Sequence, residues 1–403
     1  MDCAYFEANK KKMGKYIKEL FYITHIENVP SILKRGILCH QIIKEKNIEF
    51  TPIYNKEIVS RREQKLVSGS KSLWAFANLY FQARNPMLYK VIHDKPLEEI
   101  VVLGIRRDII RTNGAFVTDG NAASSSTIIV PVSRAKNLLQ EIGNHTEINW
   151  WNEADGSKRK IMAECLVPER IEPEHIQTIY TPNLSVRKNV NKLIEEFNFD
   201  NVVPQGPMFF QPTRKIHLKD NLYLNKGDMF FSKLQTLTIS VNCVGIMGKG
   251  LASRAKYQFP HVYVYYQDLC KEKKLRLGRP YIYKQEKSLD YELADEPTSL
   301  ENGVTETWFL LFPTKDNWRN RADIRGIKKG LQWVCDNYRK EGIKSLAMPA
   351  LGCGLGWLDW SSVGPLLCSY LARLDIPTRV YLPAEKDIPD DQLDAKFLLR
   401  DKD

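Results

Sequence analysis

The sequence predicts an α+β domain followed by an α/β domain whose largely parallel sheet lies between helices. Its 403 residues exceed the usual size of one domain. The first half mixes short helices and strands, whereas strands and helices alternate from about Ile216, which favours a parallel sheet. Three prolines and a glycine in the stretch VVPQGPMFFQPTRK are typical of a linker. We therefore predict domains over residues 1–182 and 216–403, joined by a helix and a proline-rich linker over 183–215.

The first half contains recognisable local signals for each element. A helix is expected in ENVPSILKRGIL, and we expect it to end at Gly36 because glycine is favoured just past a helix end. Strands are expected in IVVLGI, TIIVPVS and RKIMAECLV. A further helix is predicted in VRKNVNKLIEEFNF, where apolar residues recur at helical spacing.

In the second half the pattern is regular. The predicted strands are LTISVN, TWFLLFP, IKSLAMP and TRVYLP. The predicted helices are LASRAKYQF, IRGIKKGLQWVCDNYRKEG and DWSSVGPLLCSYLARL. Glycine-rich loops follow two of these strands, and we expect them to meet at the carboxyl edge of the sheet.

Composition narrows the functional classes. The formal net charge of +11 favours a polyanionic partner such as nucleic acid, the alternative being a plainly basic surface. None of the eight cysteines forms a CxxC pair, so we expect reduced thiols rather than a zinc site or a disulfide framework. The N-terminus lacks a signal-peptide core, and no apolar run has membrane-spanning length. We expect a cytoplasmic protein with no membrane partner and no metal; the sequence does not fix its oligomeric state.

The two glycine loops suggest a diphosphate site. Glycine lets backbone N–H groups approach phosphate oxygens, and a following helix N-terminus adds a favourable dipole. One such loop is a weak signal, because glycine often serves only a tight turn. Two loops in one small α/β domain favour a diphosphate held between them. Neither loop ends in the GKS or GKT of a P-loop, which argues against a simple ATPase.

From about Ile216 onward the chain resembles the macrodomain family, whose members bind ADP-ribose. The motifs are KGDMF, SVNCVGIMGKGLA and PALGCGLG. The resemblance implies that Asp228 contacts the adenine, that Asn242 holds the distal ribose and that the loops bind the diphosphate. The residues expected to bind ADP-ribose are Asp228, Asn242, Gly248, Lys249, Gly250, Gly352, Cys353, Gly354, Leu355 and Gly356.

The motif FPTKDNWR narrows this resemblance to the macrodomains of the DarG antitoxins, which remove ADP-ribose from DNA. The resemblance implies that Lys315 is catalytic. A lysine in a dry cleft can attack the anomeric carbon as a neutral amine or protonate a leaving group. The alternatives are a surface lysine at this position, or Lys249 as the catalytic residue. DarG antitoxins often carry a further C-terminal domain, and we expect none here because the chain ends soon after the macrodomain pattern.

A carboxylate interrupts one apolar strand of the first half. In RKIMAECLV, strand alternation places Glu164 on one face between Met162 and Leu166. A bare carboxylate in such a place is costly unless a charged or polar group faces it. Either the strand lies at an edge blunted by a charge, or the carboxylate stabilises a cation or a sugar hydroxyl. An aromatic turn, NWWNEADGSKRK, precedes it and suits the bases of single-stranded nucleic acid.

This turn and strand resemble the active-site region of ADP-ribosyltransferases and, more narrowly, of DarT toxins over about residues 16–182. The further motifs are YITHIENVPSIL, EIVSRREQ, YFQARNPMLY and VTDGNAASSST. The resemblance implies that Glu164 and Arg61 are catalytic. It places His25, Thr24, Asn28 and Arg62 in the NAD site, with Arg61 and Arg62 interchangeable. Expected DNA contacts are Arg84, Trp150, Trp151 and Asn152.

Together these resemblances predict a fusion of two opposed enzymes. The first domain would transfer ADP-ribose from NAD, its co-substrate, to a base in single-stranded DNA, with thymidine favoured over guanosine. The second would hydrolyse the adduct and bind ADP-ribose. The alternatives are the same folds acting on RNA or protein, or a second domain that only binds ADP-ribose beside a degenerate first domain.

Overall fold

The computed structural model describes residues 17–54, 56–67, 69–146, 148–295, 305–383 and 386–399. The chain forms two compact units. The first comprises Met1–Phe209 and the separate stretch Asp290–Glu301, and the second comprises Phe210–Leu289 and Asn302–Asp403. Over the described ranges, no helix is both long enough and apolar enough to span a bilayer. The α+β and α/β classes expected from the sequence are confirmed.

An eight-stranded mixed sheet forms the centre of the first unit, in the order β12-β11-β6-β1-β5-β9-β7-β8. The strands of this unit are β1 Glu19–His25, β2 Ile37–Leu38, β3 Leu66–Val67, β4 Lys71–Ser72, β5 Phe76–Tyr80, β6 Ile100–Arg106, β7 Phe116–Thr118, β8 Ile129–Pro131, β9 Glu164–Pro168, β10 Arg170–Ile171, β11 Ile176–Thr181 and β12 Val202–Pro204. Strand β6 lies between two neighbours, and its apolar run is buried over Ile100–Ile105.

Helices surround this sheet. They are α1 Val29–Arg35, α2 His40–Glu45, α3 Lys56–Gln64, α4 Pro86–Asp94, α5 Lys136–His145, α6 Ser157–Lys160, α7 Leu184–Leu193 and, in the separate stretch, α10 Asp290–Leu293. Helix α1 ends at Gly36, as predicted, with a φ of 82°. A Cβ atom there would lie 2.1 Å from the Ile171 carbonyl oxygen, so the turn requires glycine.

The second unit has a seven-stranded sheet in the order β13-β14-β19-β18-β15-β17-β16. Its strands are β13 Arg214–Lys219, β14 Leu222–Lys226, β15 Thr236–Asn242, β16 Tyr281–Tyr283, β17 Trp308–Lys315, β18 Leu346–Pro349 and β19 Thr378–Tyr381. Its helices are α8 Gly250–Gln258, α9 Pro260–Lys271, α11 Ile324–Glu341, α12 Trp360–Leu371 and α13 Ala395–Leu398. Strands β14, β15, β17, β18 and β19 pair in parallel, so β15, β17 and β18 end at one edge.

Two sequence expectations need correction. Strand β9 begins at Glu164 rather than at Arg159, because Ser157–Lys160 forms a helical turn that Gly156 starts with a φ of 74°. The stretch 183–209 is not a separate linker. Strand β12 pairs in parallel with β11, and helix α7 buries Val186 and Val190 in the first core, so the first unit extends to Phe209.

Helix α11 packs closely against β17, the strand that carries Lys315 at its end. A Cβ at Gly330 would lie 2.5 Å from the Phe312 ring. Gly330→Ala should therefore lower the free energy of unfolding of the second unit by about 1–3 kcal/mol, although alanine is the better helix former. Calorimetry of the full chain measures this change.

The matched control is Lys328→Ala, an exposed position on the same helix, which should change stability by less than about 0.5 kcal/mol. An unchanged or higher melting temperature for Gly330→Ala would contradict the close packing.

Candidate active sites

The site in the first unit is built around the buried carboxylate of Glu164. This side chain is fully buried at the start of β9. Arg62, on α3, donates to both carboxylate oxygens, at 3.2 Å to Oε1 and 2.8 Å to Oε2. The backbone N–H of Ala122 donates to Oε1 at 2.8 Å. The charge predicted to need a partner therefore has a bidentate guanidinium and a backbone donor.

The arginine that faces Glu164 is itself largely buried. The Arg62 side chain is 14% exposed. Burial acts to lower the pKa of its guanidinium, but the adjacent Glu164 carboxylate outweighs burial and the pKa stands above its usual value. The Arg62 guanidinium therefore keeps its positive charge beside Glu164 over the whole physiological range.

The loop after β7 delivers the Ala122 donor. Asp119 is held by Arg159, with contacts of 2.8 and 3.0 Å, and its Oδ1 accepts from the Ile128 N–H. Thr118 accepts from the Glu164 N–H at 2.8 Å and donates to the Gly120 carbonyl. The loop in the VTDGNAASSST motif thus contacts Glu164 through a backbone N–H group. The identities of its residues alone did not predict this contact.

A pocket opens beside this ion pair. It is bordered by β1, α1, α2, β5 and the segment between α2 and α3. The lining residues include Thr24, Asn28, Ser31, Ile32, His40, Phe50, Thr51, Tyr54, Phe76, Tyr80 and Met87. Tyr80 is the cross-strand partner of Glu164, and paired residues in an antiparallel sheet project from the same face. The pocket wall and the carboxylate are therefore neighbours.

An aromatic cluster that the sequence did not predict forms part of this wall. His40 lies 5.6 Å from Tyr54 and 5.6 Å from Trp74, measured between ring centroids, and 6.2 Å from Phe50. Burial, together with the charge of Arg62, lowers the pKa of His40 to about 4. At neutral pH the imidazole is therefore uncharged and offers a flat ring beside the ion pair.

The predicted NAD residues divide into two groups. Asn28 lines the pocket and fixes its rim, because it accepts from the Thr51 N–H and donates to the Thr51 carbonyl, both at 2.8 Å. Thr24 also lines the pocket. His25 does not belong to that lining; its Nε2 lies 3.1 Å from Glu99, and its Nδ1 accepts from the Glu27 N–H.

The choice between the two arginines is corrected in favour of Arg62. Successive residues of a helix point about 100° apart. When Arg62 faces Glu164, Arg61 projects elsewhere, and it is exposed. The structure therefore brings Arg62, and not Arg61, against Glu164, and the catalytic role of either arginine stays a prediction.

The predicted DNA residues are mostly tied into the fold. Trp151 is fully buried and Asn152 nearly so, and Asn152 accepts from the Ala154 and Asp155 N–H groups. Trp150 is half-buried, and Arg84 donates to the Pro207 carbonyl at 3.0 Å. The Trp151 ring is thus not available for stacking in this arrangement, because the turn packs inward.

The second site lies at the carboxyl edge of the second sheet. Asn242 ends β15, and its Oδ1 accepts from Val244 N–H and the Tyr266 hydroxyl, while its Nδ2 donates to the Ile246 carbonyl. It therefore shapes the first glycine loop. Lys249 and Gly250 start α8, and a Cβ at Gly250 would lie 3.3 Å from Leu355 in the second loop.

The second loop is compact. Gly352 has a φ of 76°, and a Cβ at Gly356 would lie 2.6 Å from the Gly352 carbonyl oxygen. Cys353 is buried, and burial raises its pKa to about 12, so the thiol is inert. The Cys353 side chain packs in the hydrophobic core of the second unit. Asp228, the residue expected to contact the adenine, is held by an ion pair, because its Oδ2 accepts from Arg254 at 2.8 Å.

Lys315 ends β17 beside Asn242, its partner in register. Its Nζ donates to the Leu355 carbonyl at 3.1 Å and lies 5.9 Å from the Trp357 ring centroid. Partial burial lowers the pKa of this lysine. The strand end thus brings together Asn242, the second loop and an amine that loses its proton more readily than usual.

Neither site contains a cluster of metal-ligating side chains. Among the described residues, no group of three or more His, Cys, Asp or Glu side chains is arranged to hold a metal ion. The seven cysteines within the described ranges are all free thiols; Cys3 lies outside those ranges.

Comparison with known proteins gives the family. Residues 21–210 match the family described as "ssDNA thymidine ADP-ribosyltransferase, DarT". The chain is 53% identical over 384 residues to a Thermosipho africanus "DNA ADP-ribosyl transferase-DNA ADP-ribosyl glycohydrolase fusion protein", covering 95% of this chain and 98% of that protein.

Two further relatives agree with this match. The solved structure of "Thermosipho africanus DarTG in complex with ADP-ribose" superposes with a TM-score of 0.90 at 52% identity, covering 95% of this chain and 100% of that one. A "DNA ADP-ribosyl glycohydrolase" of Mycobacterium tuberculosis is 32% identical over 159 residues, 39% of this chain and 41% of that protein. The chain belongs to the family of DNA ADP-ribosyl transferase–DNA ADP-ribosyl glycohydrolase fusion proteins.

Proposed function

We propose that this chain carries two opposed activities. The first unit transfers ADP-ribose from NAD to a base of single-stranded DNA, and the second hydrolyses the resulting glycosidic bond. The observation that carries the proposal is the buried Glu164–Arg62 pair beside an aromatic pocket. Thymidine is the favoured acceptor, because the family matching residues 21–210 is described by that substrate.

The pocket suits NAD chemically. NAD carries two phosphates, two riboses, an adenine and a cationic nicotinamide. Flat neutral rings at His40 and Tyr54 can stack on a planar base, and Thr24 and Asn28 offer polar groups at the rim. Arg62 holds the Glu164 carboxylate in place beside this pocket. NAD is consumed as a co-substrate.

The transfer step uses the carboxylate of Glu164. The bond between nicotinamide nitrogen and ribose C1′ breaks, and its electron pair leaves with neutral nicotinamide. The ribose becomes oxocarbenium-like, and the adjacent carboxylate stabilises that positive charge. A base nitrogen then bonds to C1′, and its proton passes to the carboxylate or to water. The three donors on Glu164 hold its oxygens in place before the reaction begins.

The reverse activity uses the strand end of the second unit. Asn242 and the two glycine loops would hold the ADP-ribose moiety, with backbone N–H groups at the diphosphate. The neutral amine of Lys315 can attack C1′, and the bond from C1′ to the base nitrogen breaks with its electron pair leaving on the base. A proton from the alkylated amine passes to that nitrogen. Water then adds at C1′, the bond to the lysine breaks, and ADP-ribose leaves with the amine restored. The lowered pKa of Lys315 favours this role over Lys249, which lies exposed at the start of α8.

Replacing the carboxylate tests the transferase. In a Lys315→Ala background, which preserves the product, Glu164→Gln should reduce transfer by about 10²–10⁴-fold because the oxocarbenium loses its counter-charge. Mass spectrometry of a thymidine-containing single strand incubated with NAD measures the added ADP-ribose. The same assay on RNA and on protein decides the acceptor class.

Glu174→Gln, which makes the same change at an exposed site of the first unit, serves as the control and should leave transfer unchanged. If the Lys315→Ala chain modifies no DNA of any sequence, the DNA transferase assignment is wrong.

A pH profile tests the role of Lys315. If the neutral amine reacts, hydrolysis of ADP-ribosylated DNA should rise with pH as the amine loses its proton. The rise should level off below about pH 10.4, the ordinary lysine pKa, because burial lowers the pKa of this lysine. Lys315→Arg, which stays charged, should be inactive over the same range.

Lys344→Ala, at an exposed position of the second unit, is the matched control and should retain the wild-type profile. A rate that falls with rising pH would show that the lysine acts as an acid. A chain that binds ADP-ribose but leaves modified DNA intact would be a reader rather than a hydrolase.

A further inference from the structure

The stretch Asp290–Asp295 has an unusual place in the chain. It belongs to the first unit, although the chain before Asp290 and after Glu301 belongs to the second. We call Asp290–Asp295 the acidic strap. It has three acidic residues, Asp290, Glu292 and Asp295, and no lysine or arginine, in a chain whose net charge is +11.

The strap is firmly attached to the surface that the aromatic turn forms. The Trp151 indole N–H donates to the Leu293 carbonyl at 3.0 Å, and Lys158 donates to the Tyr291 carbonyl at 3.0 Å. Leu293 and Trp151 are both almost completely buried. The Lys158 ammonium also pairs with Glu153 of the turn at 2.7 Å. The strap thus covers a tryptophan and shares a lysine, two residue types that suit single-stranded nucleic acid.

The strap continues toward the catalytic pocket over α4. The Tyr89 hydroxyl donates to Asp290 at 2.9 Å, and the Asp295 N–H donates to the Pro86 carbonyl at 3.1 Å. Burial is the main cause that raises the pKa of Tyr80, followed by the charge of Glu164, and the Asp295 carboxylate also contributes. Asp295 therefore lies within electrostatic reach of the residue paired with Glu164.

One carboxyl oxygen of the strap lacks a hydrogen-bond partner among the described residues. This oxygen, Glu292 Oε2, is buried. Burial raises the pKa of Glu292 to about 7, although Lys158 acts in the opposite direction. An unsatisfied buried carboxyl lowers the stability of the attached state, so the strap is held less tightly than its hydrogen bonds alone would imply.

We propose that the acidic strap occupies the single-stranded DNA docking surface of the first unit and must be displaced before DNA binds. This inference rests on the proposed DNA-directed function. The strap covers Trp151 and Lys158, and it brings negative charge close to the pocket where a polyanionic acceptor must approach. The backbone carbonyls of the strap hold Trp151 and Lys158, and its carboxylates repel an approaching phosphate backbone, so strap and DNA exclude each other from this surface.

Binding measured without NAD tests the competition separately from the chemistry. In the full chain, we replace Asp290→Asn, Glu292→Gln and Asp295→Asn together, and titrate with a fluorescein-labelled single-stranded oligonucleotide of mixed sequence. Fluorescence anisotropy should give a Kd on the order of tenfold lower than that of wild type, because the competitor is weakened.

The control makes the same change in charge elsewhere on the first unit. Glu195→Gln, Glu196→Gln and Asp200→Asn are exposed positions and should lower Kd far less. A second variant, Tyr89→Phe, removes the hydroxyl that holds Asp290 without changing the net charge, and it should also lower Kd. It keeps the test valid if the triple variant does not fold.

The outcomes separate the two proposals. If Tyr89→Phe and the triple variant bind DNA no more tightly than the charge control, the strap is a structural support and the inference is wrong. If they bind more tightly but the chain transfers no ADP-ribose with NAD, the strap competes with DNA while the proposed transferase function fails.

Discussion

The first unit depends on one buried carboxylate and the arginine that faces it. Removing a charged carboxylate from water costs several kcal/mol unless partners compensate it, roughly as for other buried ions. Glu164 has three such donors from two different segments, namely the Arg62 guanidinium and the Ala122 N–H. Helix α3 and the loop after β7 are both oriented toward β9, so the Glu164 carboxylate constrains the fold as well as the site.

In the second unit the ends of parallel strands position the candidate site residues. Parallel strands bring Asn242 and Lys315 to one edge, and the two glycine loops lie at the same edge. The first unit thus organises a fixed negative charge for a developing cation, whereas the second organises backbone donors and one deprotonatable amine. Making and breaking the same glycosidic bond therefore rests on opposite electrostatics at C1′.

Local patterns predicted most elements, and long-range contacts account for what they missed. Gly36 and the strands at Ile100–Arg106 and Trp308–Lys315 follow from turn chemistry and apolar runs. The pairing of β12 with β11 could not be read from a proline-rich stretch, since nothing local marks a parallel partner. Arg61 and Arg62 are equivalent in sequence, and only the direction of α3 separates them. The Ala122 N–H and the His40 ring carry no signal in sequence, because their roles come from the approach of distant segments. The acidic strap shows this limit most clearly. Its acidic residues can be read from the sequence, but its attachment to the first unit cannot.

In the proposed mechanism Glu164 stabilises the ribose cation in the transition state and contributes little to holding NAD. Single-turnover kinetics with saturating DNA, together with calorimetric titration of NAD, separate these two effects for Glu164→Gln. We expect the dissociation constant of NAD to change by no more than about threefold while the transfer rate falls by at least about a hundredfold. A loss of NAD affinity as large as the loss of rate would contradict it, because the carboxylate would then serve binding alone.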